Sequence, residues 1–359
     1  MRRRKFLAGA GALGAIPALG KTSLADDKST LATATPERHS DLPAKFTPCA
    51  YATTKTQYSP FTIPDYYAYA DDLVIERNAP GKPHTGKVLA AIQAHVDDVL
   101  LFASGTVAKL IDEGYTGYLI RFSNDEASGK TLGHGVAQNE IDNENAAKAM
   151  GCKKAFTFYY RNHRMDDDSI IELRARLILL FRVFQVNTVF TLDPYNHYDE
   201  NPDHLVVGKV VETANWMSSG GHDYPEHFKA GLKPARIREK YYYSRSPQGH
   251  NVVNRIVDIS SYVDAKARVN TTTIAKGPSG TAGVRLREYL RARGKKLPWL
   301  GNDDETANVE YTKRYLLEDF HLLGQQYGLQ YAEAFRYIGP DAPYLENIHR
   351  AAMQEAVDL

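Results

Sequence analysis

The sequence contains few cysteines, almost no net charge and little apolar sequence long enough to cross a membrane. Only two cysteines occur among its 359 residues. Cys152 occupies a position that suits a small buried apolar residue, so we expect no disulfide between it and Cys49. The 44 Lys and Arg residues nearly balance the 43 Asp and Glu residues, leaving a net charge of +1. This balance predicts no nucleic-acid partner and no attraction to an anionic membrane.

An apolar stretch from Phe6 to Leu19 follows the basic residues Arg2 to Lys5. The stretch is too short and wrongly flanked for a stable membrane span. Residues 1–25 are therefore predicted to be a twin-arginine signal peptide, which implies export to the periplasm or the cell exterior. Residues 9–14 satisfy the dinucleotide-binding fingerprint, but no strand precedes them, so we discard that match.

The remaining chain, roughly 330 residues, is long enough for one large α/β domain. Residues 26–84 are rich in Thr, Ser, Pro and Ala and are predicted to be an N-terminal arm or linker. Residues 85–345 are predicted to form the domain and 346–359 a C-terminal tail. Predicted strands (88–95, 117–123, 155–160, 188–192) alternate with predicted helices (99–113, 138–150, 169–185, 203–217). This alternation predicts an α/β fold with a Rossmann-like, mostly parallel sheet and helices on both faces.

The C-terminal part of the predicted domain is less regular. We expect a strand over 236–244, which includes three consecutive tyrosines, a helix over 262–273 and a long helical region over 311–335. Residues 277–305 are predicted to form an excursion or flexible loop that borders the site.

The segment Ala94-His95-Val96-Asp97-Asp98 follows the apolar strand 88–92 and indicates chemistry at the strand's carboxyl end. His95 and Asp98 can turn toward one metal ion, which leaves Asp97 as a carboxylate for proton transfer. The alternative is that Asp97 or Asp98 caps the helix that follows.

A second segment, Asn201-Pro202-Asp203-His204, follows the strand 188–192 and provides another imidazole. Two such segments at strand ends favour a hydrolytic zinc site at the C-terminal edge of the strands. Asp193, at the end of the same strand, is a candidate hydrogen-bond partner for a ligating imidazole.

The two segments resemble the motifs of the PIG-L/LmbE-like zinc-dependent N-deacetylases. The family's Ala-His-Pro-Asp-Asp corresponds to residues 94–98, and its following Gly-Thr corresponds to Gly105-Thr106. The family's His-Pro-Asp-His-x-x-x-Gly corresponds to residues 201–208, and Ala332-Glu333-Ala334-Phe335-Arg336 resembles its closing segment. The resemblance is good over about residues 85 to 215 and thin elsewhere.

The resemblance implies that His95, Asp98 and His204 bind zinc and that Asp97 is the general base. This chain departs from the family pattern in having Val96 for the usual proline and Val99 for a common acidic residue. A more serious departure is Asn201, which replaces the histidine thought to assist the tetrahedral intermediate. Asparagine donates a hydrogen bond but neither bears charge nor relays a proton. His197 and Tyr198 are nearby candidates to substitute, and both have an ordinary loop role as the alternative.

The loop after the strand 117–123 lines the substrate pocket in the family, which makes Asn124, Asp125 and Glu126 candidate contacts to sugar hydroxyls. Arg161, at the next strand end, suits an anionic or hydroxyl-rich substrate. A polar surface turn explains each of these residues equally well.

The resemblance predicts an exported metal-dependent hydrolase that removes an N-acetyl group from an N-acetylglucosamine-type sugar or glycoconjugate. Zn²⁺ is the expected cofactor, although Fe²⁺ or cobalt fits the same ligands. The expected partner is a small N-acetylated molecule, with no membrane span after signal removal. Two alternatives are a zinc amidase acting on a larger acyl amide and a non-catalytic sugar-binding relative.

Overall fold

The computed structural model describes residues 73–195, 199–244, 253–339, 349 and 352–358. Within these residues, eight strands form one sheet in the order β1-β7-β8-β6-β5-β2-β3-β4. The strands are β1 Val74–Glu76, β2 Val88–Gln93, β3 Thr116–Ser123, β4 Lys154–Tyr160, β5 Thr188–Leu192, β6 Glu239–Tyr243, β7 Arg255–Asp258 and β8 Ala332–Ile338. Only β8 pairs antiparallel with its neighbours, and the other pairs are parallel. The predicted mostly parallel α/β sheet is confirmed.

Helices connect the strands and cover the sheet. Their bounds are α1 Asp98–Phe102, α2 Ser104–Asp112, α3 Leu132–Met150, α4 Ile170–Phe184, α5 Pro202–Ser218, α6 Pro225–Lys229, α7 Val263–Thr271, α8 Ala282–Arg291, α9 Asp304–Tyr311 and α10 Glu318–Gln326. Sequence signals explain several of their starts, because Thr131, Ser169 and Asn201 accept capping hydrogen bonds at the N-termini of α3, α4 and α5.

The central strands are buried on both faces, as parallel strands between helices must be. Strand β2 shows this best, since every residue from Leu89 to Gln93 is buried. The three tyrosines of β6 are also buried, which confirms the predicted strand. Tyr243 donates its hydroxyl hydrogen to the carbonyl oxygen of Ile92 at 2.7 Å and so ties β6 to β2.

The C-terminal part of the domain corrects two predictions. The helical region predicted over 311–335 is wrong at its end, because α10 ends at Gln326 and β8 begins at Ala332. From Glu333 onward, buried and partly exposed residues alternate along β8. The sequence does not indicate this strand pattern, because Glu333 is acidic and is nevertheless fully buried. The segment 277–305, predicted as an excursion or flexible loop, contains the helix α8.

Smaller differences concern the N-terminal half of the domain. Strand β1 pairs in parallel with β7, although it falls within the segment predicted as an arm. The helix predicted over 99–113 is divided into α1 and α2 at Ala103, whose φ of −137° is not helical. The helix predicted to start at 138 begins at Leu132.

The order of the strands creates a switch point between β2 and β5. From β2 the chain adds β3 and β4 on one side, and it then returns to place β5 and β6 on the other side. Such a reversal leaves a crevice at the carboxyl ends of the two central strands, where open α/β sheets bind ligands. Both motifs follow these two strands, so the fold brings them together.

The Gly105-Thr106 pair of the first motif and the closing segment of the domain meet in the core. The carboxylate of Glu333, on β8, accepts hydrogen bonds from the backbone N–H groups of Gly105 and Thr106 at 3.0 and 2.8 Å. A Cβ atom at residue 105 would lie 3.0 Å from this carboxylate, which accounts for glycine there. These two family-like segments therefore form one structural contact that supports the helix after the first motif.

Two further predictions concern cysteine and the membrane. Cys152 forms no disulfide with any of the described residues, and Cys49 lies outside them. Among the helices of the described residues, none has the length and apolar character needed to span a bilayer.

Candidate metal centre

Three side chains from the two motifs meet at the switch point. Nδ1 of His95 lies 3.2 Å from Nε2 of His204, and this Nε2 atom lies 3.2 Å from Oδ1 of Asp98. Oδ2 of Asp98 lies 3.7 Å from Nδ1 of His95. All three residues are buried, and in the described part of the chain they are the one group of donors arranged to hold a metal ion.

The spacing of these atoms fits a tetrahedral metal ion. Bonds of about 2.0–2.1 Å place tetrahedral ligand atoms about 3.3 Å apart. The three donor atoms lie within 4.8 Å of one another, so they need only small movements to bind one ion. Two imidazoles and one carboxylate are a donor set that suits Zn²⁺ and related divalent ions, and three protein ligands leave a position open for water or substrate.

Two further carboxylates hold the outer nitrogen atoms of the imidazoles. Oδ2 of Asp203 lies 3.0 Å from Nε2 of His95, and Oδ2 of Asp199 lies 2.7 Å from Nδ1 of His204. These contacts fix each ring so that the other nitrogen faces the metal position. Asp193, suggested by the sequence for this role, accepts instead the backbone N–H of Tyr195 at 2.9 Å.

The carboxylates and imidazoles of the cluster form buried ion pairs that shift each other's pKa. Burial alone would lower the pKa of His95, but its bonds to Asp203 and Asp98 outweigh burial and raise that pKa to about 9. Burial opposes the charged form of His204 as well, yet Asp98 and Asp199 raise its pKa to about 10. Burial would raise the pKa of Asp98, and the two imidazoles hold it well below its usual range. Because metal ions bind neutral imidazole, metal binding here displaces protons.

Asp97 lies beside the donor cluster without belonging to it. It occupies the N-cap position of α1, but its side chain makes no capping hydrogen bond. The capping alternative therefore does not explain Asp97. Its Oδ1 atom lies 3.2 Å from Nζ of Lys276, and 15% of its side chain is exposed. Burial raises the pKa of the Asp97 carboxyl, while the Lys276 ammonium opposes that rise.

The predicted substrate contacts divide into a buried group and a rim. Asp125 is fully buried and accepts the backbone N–H of Val96 at 2.9 Å. Both of its oxygen atoms bind protein groups, which favours a structural role for this residue. Glu126 accepts a hydrogen bond from Nε of Arg161 at 2.8 Å, and its backbone N–H donates to Asn124 at 3.1 Å. Arg161, Glu126 and Asn124 thus form a partly exposed polar rim.

Asn201 has a clear local role as the N-cap residue of α5. Its Oδ1 atom accepts the backbone N–H of Asp203 at 3.1 Å, and Pro202 follows at the first helical position. Asparagine is among the best capping residues, so this departure from the family pattern preserves the helix start that positions His204. The two residues suggested as substitutes, His197 and Tyr198, lie outside the described residues.

Sequence reasoning missed several residues near the centre. Asp199 and Asp203 both precede His204, and their position in or next to the second motif is the signal that could have identified them. Lys276 follows α7, far from both motifs in sequence, and no local spacing points to it. Asn162, at the end of β4, is buried, and its carboxamide has no hydrogen-bond partner among the residues that the structure describes. A buried amide of this kind suits the polar groups of a ligand.

The fold and the donor cluster define an α/β protein with a candidate His-Asp-His metal site at the switch point of its sheet. Residues 90–215 match the family model described as PIG-L, GlcNAc-PI de-N-acetylase. This segment includes both motifs, so the resemblance to the PIG-L/LmbE-like family inferred from them is confirmed over these residues.

Proteins similar to this chain include deacetylases and a hydratase. The diacetylchitobiose deacetylase of Thermococcus kodakarensis is 25% identical over 198 residues, which cover 54% of this chain and 71% of the relative. The structure of N,N'-diacetylchitobiose deacetylase from Pyrococcus horikoshii has a TM-score of 0.55 at 22% identity, covering 71% of this chain and 84% of that one. The 4-carboxy-2-hydroxymuconate hydratase GalB from Pseudomonas putida has a TM-score of 0.51 at 16% identity, covering 72% and 98%. The two structural matches establish a shared fold, which hosts more than one reaction.

Proposed function

We propose that this protein is a metal-dependent hydrolase that removes an N-acetyl group from an N-acetylglucosamine-type sugar or glycoconjugate. One observation carries the proposal: Asp97 holds an unligated carboxylate directly beside the buried cluster of His95, Asp98 and His204. A sugar-binding protein with a structural metal needs no such carboxylate. The names of the relatives that act as deacetylases support the same class of reaction.

Different residues of the site bind the metal, transfer the proton and orient the imidazoles during amide hydrolysis. His95, Asp98 and His204 would hold a zinc ion, which would provide a Lewis acid and a water molecule of lowered pKa. Asp97 accepts a proton from the attacking water as the new C–O bond forms, and it returns this proton to the nitrogen as the C–N bond breaks. The products are acetate and the free amine. Asp203 and Asp199 keep the two imidazoles oriented throughout.

The proposed sugar substrate is supported by the polar groups around the crevice. Asn162 offers a buried carboxamide, and Arg161 with Glu126 forms an ion pair at the rim that leaves 62% of the Arg161 side chain exposed. Hydroxyl-rich ligands suit such groups, because each hydroxyl both donates and accepts a hydrogen bond. We propose Asn162 and Arg161 as the residues that contact the sugar.

The test is acetate release by purified, zinc-loaded protein across a panel of N-acetylated sugars. We expect Asp97→Asn to lose about 100-fold or more of the rate, since general acid–base catalysis contributes roughly 10²–10⁴-fold. Asp167→Asn, a change at an exposed aspartate, is the matched control and keeps full activity. Treatment with a chelator removes activity, and re-addition of Zn²⁺, Fe²⁺ or Co²⁺ identifies the metal that restores it.

The panel also separates the alternatives. If no sugar releases acetate while larger acyl amides release their amines, the amidase function replaces the deacetylase. If zinc binds stoichiometrically and no amide is cleaved, the protein is a non-catalytic relative and the proposal is wrong.

We also propose that residues 1–25 direct export through the twin-arginine route, as the basic and apolar pattern predicts. Cell fractionation tests this, because replacing both Arg3 and Arg4 with lysine should retain the protein in the cytoplasm. Export unchanged by that replacement would count against the route.

A further inference from the structure

Lys276 contacts two carboxylates at the edge of the metal centre. Its Nζ atom lies 3.2 Å from Oδ1 of Asp97 and 3.1 Å from Oδ1 of Asp125. Only 21% of the lysine side chain is exposed. A single ammonium group thus joins the first motif to the loop after β3, although it belongs to the segment that follows α7.

The carboxylate on the far side of Lys276 is rigidly held. Asp125 has no exposed side-chain surface, and its Oδ2 atom accepts the backbone N–H of Val96 at 2.9 Å. The same atom lies 3.3 Å from Nη1 of Arg121, which is itself fully buried. Asp125 is therefore a fixed anchor, and the lysine that binds it has little freedom to move.

The backbone around Lys276 is held just as firmly. Oδ2 of Asp142 accepts the backbone N–H groups of Ile274 and Ala275 at 2.7 and 3.0 Å. Gly277 follows with a φ of +93°, and a Cβ atom there would lie 3.0 Å from Thr273 and 3.8 Å from Cβ of Asp97. The chain thus passes directly against Asp97, at a position where glycine is favoured for both its conformation and its size.

Asp97 and Asp98 are adjacent carboxylates beside one metal position, and only one of them belongs to the donor cluster. Asp98 has further bonds that hold it there, including the backbone N–H of His95 at 2.8 Å. For Asp97, the one ion pair found among the described residues is with Lys276. An unpaired carboxylate next to a divalent cation would be drawn to it as an additional ligand.

We propose that Lys276 is a positioning residue that holds the Asp97 carboxylate beside the metal ligands and keeps it from becoming one. This inference deepens the proposed function and rests on it, since it explains how Asp97 stays available as a base. Asp125 supplies the anchor, Lys276 the link and Gly277 the close approach of the backbone. The lysine acts through Asp97 and touches no reacting atom.

The kinetic test compares Lys276→Met, Lys276→Arg and Asp97→Asn with the double variant Lys276→Met/Asp97→Asn. We expect Lys276→Met to lower kcat by about 100-fold, the effect of misplacing a catalytic group by roughly 1 Å, with little change in KM. Lys276→Arg keeps the ion pair and recovers part of the rate. In the Asp97→Asn background, Lys276→Met has no further effect, because residues that act as a unit are not additive.

A second measurement needs no activity. Zinc affinity is measured by competition with a chromogenic chelator for the wild type and the same four variants, and Lys295→Met is the control for loss of an exposed lysine. We expect Lys276→Met to bind zinc more tightly than the wild type, because the released Asp97 joins the ligands. The double variant should match Asp97→Asn. Lys276→Gln replaces Lys276→Met if the latter does not fold.

The outcomes separate this inference from the proposed function. Tighter zinc binding in Lys276→Met that persists equally in the Asp97→Asn background would overturn the inference, because it would reflect only the loss of a positive charge. Unchanged kcat and zinc affinity would overturn it too, while acetate release would still support the deacetylase. Conversely, the wild type could release no acetate while Lys276→Met still shows the Asp97-dependent change in zinc affinity. That result would contradict the proposed function and support the positioning role.

Discussion

The carboxylate of Asp203 links the imidazole of His95 to the loop after β4. Its Oδ2 atom lies 3.0 Å from Nε2 of His95 and accepts the backbone N–H of His163 at 2.6 Å. Its Oδ1 atom accepts the backbone N–H of Met165 at 3.2 Å. Asp203 therefore orients the imidazole of His95 from the first motif and holds the loop that follows β4.

This arrangement predicts that Asp203→Asn weakens metal binding by about 10–100-fold, the range typical for the partner of a ligating histidine. The amide keeps the shape of the carboxylate but withdraws the charge that fixes the tautomer of His95. Zinc affinity measured by chelator competition checks this, with the exposed neighbour Glu200→Gln as the control. Wild-type affinity in Asp203→Asn would contradict the orienting role.

The cap at Asn201 gives a prediction about stability. Because Oδ1 of Asn201 accepts the backbone N–H of Asp203, Asn201→Ala should lower the free energy of unfolding by about 1 kcal/mol. Asn201→Asp keeps the acceptor and favours the helix N-terminus, so it should retain wild-type stability. Urea unfolding of the metal-free proteins measures both. Equal loss in the two variants would show that capping is not the role of this side chain.

Much of the fold and the centre of the site follow from the sequence. Strands β2 to β5 and the helices between them obey the alternation of apolar runs and helical periodicity, and both motifs lie at strand ends. The parallel sheet then requires the motifs to share one edge, so the sequence alone identifies His95, Asp98 and His204 as neighbours. Their partners Asp199 and Asp203 are visible in the sequence too, but which carboxylate faces which ring depends on side-chain direction.

What the sequence could not predict depends on contacts that are distant along the chain. Lys276 contacts Asp97 only because α7 packs beside the first motif, and no repeating pattern of residues in the sequence predicts that packing. Strand β8 was missed for a related reason. An acidic residue such as Glu333 is typical of an exposed helical position, but in the structure Glu333 is buried and paired with Lys266. Tertiary pairing overrides local pattern at both positions.

The buried pair of Glu333 and Lys266 predicts a large effect on stability. Both side chains are fully buried, and Nζ of Lys266 lies 2.7 Å from Oε1 of Glu333. Glu333→Gln leaves the lysine charge unpaired and sets an amide donor against the N–H groups of Gly105 and Thr106. We expect a loss of about 3–5 kcal/mol in the free energy of unfolding. Chemical unfolding measures it, with the exposed Glu288→Gln as control.

The same pair also predicts coupling. Lys266→Met/Glu333→Gln should cost less than the sum of its single changes, because the double variant buries no unpaired charge. Simple additivity would mean that the two side chains are stabilised by their separate surroundings.

A cluster at the opposite edge of the sheet predicts how stability depends on pH. Glu239 accepts hydrogen bonds from Tyr115 at 3.0 Å and Tyr337 at 2.9 Å, and Lys87 lies 3.3 Å away. Burial would raise the pKa of Glu239, but Lys87 and the two hydroxyl groups hold it below its ordinary value of 4.5. A group whose pKa is lower in the folded state stabilises the protein above its unfolded pKa, and this contribution disappears as the pH falls through the folded value.

Glu239→Gln should therefore destabilise the protein fully at pH 7, and the difference from wild type should shrink as the pH falls below about 4.5. Urea unfolding at pH 7 and at a series of acidic values measures this difference, with Glu305→Gln as the exposed control. The metal centre does not enter the comparison if chelator is present throughout. A difference that stays constant with pH would mean that the Glu239 carboxylate contributes through shape and packing, and that its charge has no part in folding stability.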